Sequence, residues 1–216
     1  MAKAKKIRDV VYGFVTLDEH EQVIIDHPAF QRLRRIKQLS LTDMLYPGAT
    51  HSRFEHSIGV MQMASDMFDS IVAKDENQRI LEEHLSIDSD CLKYYRKIVR
   101  LAALLHDVGH APFSHPGEEI MPLLPEGYIS QYEGLSFDPN TPEKRYRHEE
   151  YSIITIKEKF ATLIKNKFHL FALKMLRLSW VIKQLKGMPY CCFGKDLSRA
   201  RLTQTVPIIC CVTPSI

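Results

Sequence analysis

The stretch from Val99 to His115 constrains this chain more than any other. Val99-Arg-Leu-Ala-Ala-Leu-Leu105 is a nearly continuous apolar run. It ends at once in His106-Asp107, with His110 and His115 following within ten residues. Cys91 to Val108 has helical spacing, and Gly109 supplies a stop. A helix that apolar belongs in a core, so its end carries imidazoles and a carboxylate to a buried place. One histidine there reads as a hydrogen-bonded core residue. Three histidines with an aspartate point instead to a metal or phosphate site. Adjacent residues on one helix diverge by about 100°. His106 and Asp107 therefore share a cation only at the helix end, in a cleft where other helices add donors. His56, in His51-Ser-Arg-Phe-Glu-His-Ser57, opens the amphipathic stretch Ser57–Ala73 and is the natural further donor. Imidazole with carboxylate suits Zn, Fe, Mn, Co or Ni better than Ca. Arg53 stands three residues before His56. Its planar fork binds two phosphate oxygens, while an ion pair with Glu55 is the plainer alternative.

The rest of the chain reads as mostly helical. The expected fold class is all-α, a helical bundle with a short extended N-terminal arm over Ile7–Leu17. Val23 to Leu39 carries helical spacing interrupted by Pro28, which implies two short helices. Tyr46-Pro-Gly-Ala49 marks a turn. Residues 116–147 hold Pro116, Pro122, Pro125, Pro139 and Pro142 and read as loop. Helical spacing returns from His148 to Lys167.

The 216 residues are 45% hydrophobic and 25% charged, which excludes a wholly disordered chain, a collagen and a small disulfide scaffold. No apolar run approaches the ~20 residues that span a bilayer. The basic N-terminus leads into charged sequence rather than an apolar signal core, so a cytoplasmic protein without membrane attachment is expected. The net charge of +3 is uneven. Residues 173–216 carry seven Lys/Arg against one acid, Asp196, and the remainder is slightly acidic. Cys191, Cys192, Cys210 and Cys211 crowd the same tail as adjacent pairs, without the CxxC spacing of a zinc or redox site. A solvated end is expected there rather than specific nucleic-acid binding.

Three blocks in order carry a family resemblance. They are Phe30-Gln-Arg-Leu-Arg-Arg-Ile-Lys-Gln-Leu39, Tyr46-Pro-Gly-Ala-Thr-His-Ser-Arg-Phe-Glu-His-Ser-Ile-Gly-Val60 and Ala103-Leu-Leu-His-Asp-Val-Gly-His-Ala-Pro-Phe-Ser-His115. Together they resemble the HD superfamily of metal-dependent phosphohydrolases, in the branch of the deoxynucleoside triphosphate triphosphohydrolases. The resemblance implies that His56, His106 and Asp107 bind a divalent transition metal, with Mg entering alongside the substrate. It implies that Arg53 holds substrate phosphate, and that His110 and His115 contact phosphates or handle protons. His148, in Arg147-His-Glu-Glu-Tyr151, matches the branch's downstream catalytic histidine. Gln38 and Leu39 match residues beside the sugar and base. Intact relatives assemble as homo-oligomers, and the implied partner is a nucleotide substrate. The alternative is an HD-fold module that binds nucleotides or a partner without catalysis.

The resemblance covers residues 1–170, read as an incomplete phosphohydrolase domain, and fades in the tail 171–216. The family supplies a fourth metal ligand from a later segment resembling Leu-Asp-Ala-Asp-Arg-x-Asp-Tyr-Leu-Leu-Arg-Asp. Here the only Asp beyond Asp138 is Asp196, in an unlike context. A shifted reading frame accounts for this. Moving each codon back one nucleotide turns Cys192 and Cys211 into Leu whatever codons are used. Over Arg201–Pro214 it permits Glu-Ile-Asp-Ala-Asp-Arg-Ala-Asp-Tyr-Leu-Leu-Arg-Asp-Ser. The expectation is a single-nucleotide shift near codon 171, with activity impaired by the missing ligand. Reading the gene in the −1 frame checks it.

Overall fold

The structure is a computed structural model that describes residues 5–75, 77–78, 89–125 and 145–168. The tail 171–216, with its boundary at 170 and Asp196, lies outside the described residues.

The N-terminal arm is more ordered than an all-α reading allows. Strands β1 (Lys5–Asp9) and β2 (Gly13–Leu17) pair antiparallel, with Ile7 opposite Val15. Gly13 closes the turn at a φ of +73°, where a side chain would be strained. The class is thus mostly helical with one two-stranded hairpin. Two strands do not make a stable sheet alone. Val15 and Leu17 supply the missing stability by burying against the helices.

Asp18 starts α1 (Glu19–Asp26) with a capping box closed by Glu21. Pro28 then opens the four-residue α2 (Pro28–Gln31), which runs into a 3-10 turn at Arg32–Arg35. Proline at the first helical position costs no hydrogen bond, so the break expected at Pro28 is a restart. Helix α3 spans Arg53–Val72, four residues earlier than apolar periodicity indicated. Ser52 and Glu55 form its capping box, and the polar first turn hides the start from a hydrophobic count. Phe54, Ile58, Met61, Ala64, Phe68 and Ile71 make its buried stripe.

Helix α4 (Ser89–Leu105) packs along α3 as the principal helix pair. It ends at Leu105, so His106 and Asp107 lie in the turn after it rather than in its last turn. Helix α5 (His148–Thr155) continues through a π-helical turn at Ile156–Phe160 into α6 (Ala161–Phe168). Phe160 and Ile164 are fully buried in the core shared with Phe30, Leu33, Leu101 and Leu104.

One buried ion pair ties the layers together. Arg100 of α4 makes a bidentate contact with Glu21 of α1, at 2.5 and 2.9 Å. It also donates to Ser65 of α3 at 2.5 Å and to the Thr16 carbonyl of β2 at 3.2 Å. Its nitrogens reach α1, α3 and β2, which with α4 itself fixes four elements around one guanidinium. Among the described residues no helix is long and apolar enough to cross a membrane.

Candidate metal centre

His56, His106 and Asp107 converge. Each offers a ligand atom within 4.8 Å of the others. His106 Nε2 lies 3.3 Å from Asp107 Oδ1, and His56 Nε2 lies 3.7 Å from Asp107 Oδ2. The two histidines thus approach the two oxygens of one carboxylate, near the ~3.4 Å separation of donors around a tetrahedral metal with arms of about 2.1 Å. His106 Nδ1 donates to the Ala103 carbonyl at 2.7 Å, which leaves Nε2 as the lone-pair nitrogen facing Asp107. Burial, then the neighbouring His106, lowers His56 to about 4 against an ordinary 6.5, so its imidazole is neutral near pH 7. Burial alone would raise Asp107; His106, His110 and Arg53 overcome it and hold the carboxyl well below the usual range. Imidazole nitrogens together with an ionised carboxylate are the donor set a divalent transition metal takes. The residues present fit the group.

The turn that carries them is clamped from both sides. Arg32 donates to the His110 carbonyl at 2.7 Å and also to that of Val108. Ser152 of α5 donates to the His106 carbonyl at 3.0 Å and accepts from the Gly109 amide at 2.9 Å. Gly109 is required by this approach: a Cβ there would lie 2.0 Å from the Ser152 backbone nitrogen. Ser152 stands one helical turn after His148, so the contact that secures the turn also brings His148 into place.

Arg53, on the first turn of α3, is buried. Its guanidinium pairs with Asp107, and its Nε donates to Ser114 Oγ at 3.1 Å. The surface pair with Glu55 does not form, because Glu55 turns back to cap Ser52. Ser114 hands its own proton to the Lys37 carbonyl at 2.6 Å. Phe113 and Ser114 both adopt positive φ, +66° and +57°, a strained pair of residues beside the site.

A second group gathers His110, His115, His148 and Glu118. Glu118 was not legible as a site residue; its signal is only a three-residue spacing from His115. Its Oε1 accepts from His148 Nδ1 at 2.5 Å and from His115 Nδ1 at 3.0 Å. Burial pushes Glu118 up, but the two imidazoles outweigh it and hold it ionised. His110 stacks flat on His148, with centroids 3.9 Å apart at 13°. Burial drives His110 far below the usual imidazole range, and its Nδ1 has no hydrogen-bond partner among the described residues.

Gln38 and Leu39 lie on the loop entering this region. The Gln38 side-chain oxygen is buried without a hydrogen-bond partner among the described residues, and Leu39 is half exposed. Next to them opens an apolar cleft of about 620 Å³. Its walls are the 40–45 loop on one side and Phe113, Pro116, Gly117 and Ile120 on the other. Gln38 and Leu39 flank the cleft rather than line it.

Comparison with known proteins agrees with this geometry. The sequence profile of the HD domain family matches residues 53–200. The deoxynucleoside triphosphate triphosphohydrolase SAMHD1 homolog of Dictyostelium discoideum is 36% identical over 150 residues. Those residues cover 69% of this chain and 24% of that protein. Human deoxynucleoside triphosphate triphosphohydrolase SAMHD1 is 35% identical over 150 residues, 69% of this chain and 20% of its own length. This chain therefore spans a quarter or less of either relative. The crystal structure of a hypothetical protein from Aquifex aeolicus superposes with a TM-score of 0.58 and 28% identity, over 89% of this chain and 43% of that one. The family profile opens at Arg53 and spans the histidines and aspartate that converge here, and the chain belongs to the HD domain family.

Proposed function

We propose that this chain is a metal-dependent phosphohydrolase of nucleotides. The preferred substrate is a deoxynucleoside triphosphate, released as deoxynucleoside and triphosphate. The observation that carries the reading is the convergence of His56, His106 and Asp107 beside a buried arginine and a carboxylate-anchored histidine pair. Similarity to the triphosphohydrolases named above narrows the substrate class.

His56, His106 and Asp107 hold the metal, of the Zn, Fe, Mn, Co or Ni group. A bound metal polarises a phosphoryl oxygen and acidifies a water. Arg53 offers a planar cation to the phosphate chain, held in place by Ser114. Glu118 keeps Nδ1 of His115 and His148 protonated, which orients both rings. His115 is largely exposed, and its Nε2 is the ring nitrogen turned away from Glu118. That nitrogen hands a proton to the leaving 5′-oxygen. Neutral His110, stacked on His148, contacts phosphate oxygen. Gln38, with its unpartnered buried oxygen, and Leu39 contact sugar and base at the mouth of the 620 Å³ cleft, whose size suits a nucleoside. Three protein donors are in hand and the family's fourth is not matched by Asp196, so turnover is expected to be weak. Assembly into oligomers, as in intact relatives, is part of the same reading.

The test is chromatographic analysis of dGTP incubated with the purified chain and Mn. Deoxyguanosine with intact triphosphate supports the reading. Stepwise release of phosphate transfers the chain to another nucleotide phosphatase class. Metal-free nucleotide binding without turnover favours the non-catalytic module.

A further inference from the structure

We propose that His115, Glu118 and His148 form a second, weaker site for a divalent transition metal, separate from the His56–His106–Asp107 centre, and that filling it inhibits the chain. Three observations carry this. First, the donors already meet. Nδ1 of His115 and Nδ1 of His148 both contact the same Glu118 oxygen, at 3.0 and 2.5 Å. All the ligand atoms of this group fall within 4.8 Å of one another. Opening these contacts by less than 1 Å gives the edges of a tetrahedral metal site.

Second, His148 is oriented as a metal-bound histidine is. A histidine ligand donates its other ring N–H to a carboxylate or carbonyl, which fixes the ring. With Nδ1 facing Glu118, Nε2 of His148 lies 3.2 Å from Glu149 Oε1. When metal takes Nδ1, the proton it displaces sits on Nε2, which donates a hydrogen bond to Glu149, so the imidazole stays neutral. The proton displaced from Nδ1 of His115 likewise moves to its exposed Nε2, which donates a hydrogen bond to water, so this ring stays neutral too.

Third, the geometry separates the two sites. His110 belongs to the same group by distance, but its ring lies parallel to His148 at 3.9 Å. Imidazole binds a metal in its ring plane. An ion in the plane of His148 lies well out of the plane of His110, so His110 is a wall between the sites and not a ligand. The second set is two imidazoles and one carboxylate with an open position, suited to Zn or Co rather than Mg.

Occupancy removes the Nδ1–H donors through which Glu118 orients both rings. The inhibitory consequence rests on the proton-handling role proposed above; the binding itself does not. Metal would then activate at low concentration and inhibit in excess.

The experiment is titration of the full chain with Co, read by visible absorption and by metal content after desalting, on wild type, His115→Ala, Glu118→Gln and His56→Ala. His115 is largely exposed, so its removal leaves the fold intact, as circular dichroism checks. The tail cysteines contribute equally to every variant and cancel. The expected result is that His115→Ala and Glu118→Gln each bind one equivalent fewer than wild type, while His56→Ala keeps that equivalent. The proposal is overturned if both variants bind as much as wild type, or if the equivalent they lose is the one lost in His56→Ala. Turnover is read separately, so an inactive chain that still binds the second ion sinks the catalytic reading and leaves this one standing.

Discussion

The two histidine clusters of this chain sit side by side and are built differently. His56, His106 and Asp107 come from the capped start of a twenty-residue helix and from the turn after the helix packed along it. His106 and Asp107 are almost completely buried, and their orientation is set by backbone carbonyls and a buried guanidinium. His115, Glu118 and His148 come from a 3-10 turn and a short helix, with His115 mostly in solvent. The first cluster is held by the core. The second is held mainly by its own hydrogen bonds, tied to the interior by Ser152 and by the stacking of His148 on buried His110. A rigid dry cluster suits a resident metal; a softer one suits groups that exchange protons and adjust to substrate.

The largest effect is expected on the first cluster. Asp107→Asn removes the only carboxylate among its donors and leaves Arg53 without its buried counter-charge. Metal affinity should fall at least ~100-fold, with turnover falling in step. Elemental analysis and triphosphate release measure both. Retention of metal would mean that the two imidazoles suffice and that the carboxylate serves Arg53 instead.

Gly109→Ala separates the clusters mechanically. Its Cβ would meet the Ser152 backbone at 2.0 Å, so α5 must move away from the turn. A loss of about 3 kcal/mol is expected in urea denaturation. Activity should fall more than metal content, since α5 carries His148 and not the metal ligands. Glu118→Gln acts on the second cluster alone. It keeps shape and removes charge, and turnover should drop about 10- to 100-fold while the metal of the first cluster stays. An unchanged rate would show that the two rings need no anchor.

How much of this was readable beforehand follows the same division. His106 and Asp107 are adjacent in sequence and close an apolar helix, so local pattern alone placed them. His56 and Arg53 needed only the start of α3, and the Ser52…Glu55 capping box marked that start where apolar periodicity did not. Glu118 was missed because a 3-10 turn has no periodic signal and because His148 lies thirty residues away. Arg32 was likewise hidden: it reads as one cation in a basic run, yet it reaches carbonyls more than seventy residues on. Ile7–Leu17 reads in sequence as a short strand or extended arm and not as a hairpin, because Val10, Val11 and Phe14 are exposed and blur the alternation. Buried core contacts, not local pattern, decide that it pairs.

Acid should also act on the first cluster, through His56. His56 has its folded-state value near 4 and an ordinary value of 6.5. Between those pH values the unfolded chain takes up a proton that the folded chain refuses, so stability falls as pH drops from 6.5 to 4. Residual exposure of the ring reduces the ideal figure to on the order of 2 kcal/mol. His56→Gln should flatten that slope. An unchanged slope would mean that the burial of His56 has no energetic content.

The smallest effect tests whether the first cluster depends on its helix start. Ser52→Ala removes the side-chain oxygen that accepts from the Glu55 amide at 3.3 Å. It also removes one partner of the Glu55 carboxylate. Loss of a cap of this kind costs about 1 kcal/mol. Glu55 keeps its 2.6 Å contact to the Ser52 backbone amide, so the first turn should loosen rather than unwind. Arg53 and His56 both lie in that turn, and Arg53 is fastened at its far end by Asp107 and Ser114. His56 meets the turn after α4 more loosely, edge-on to the His106 ring at 5.2 Å and with its Nε2 3.7 Å from Asp107. Metal affinity should therefore weaken by a few-fold, about what 1 kcal/mol allows, while the Glu118 cluster is untouched. Thermal melting and a competitive chelator titration read the two quantities on one sample. A melting shift without a change in affinity would show that the core, and not the cap, positions His56.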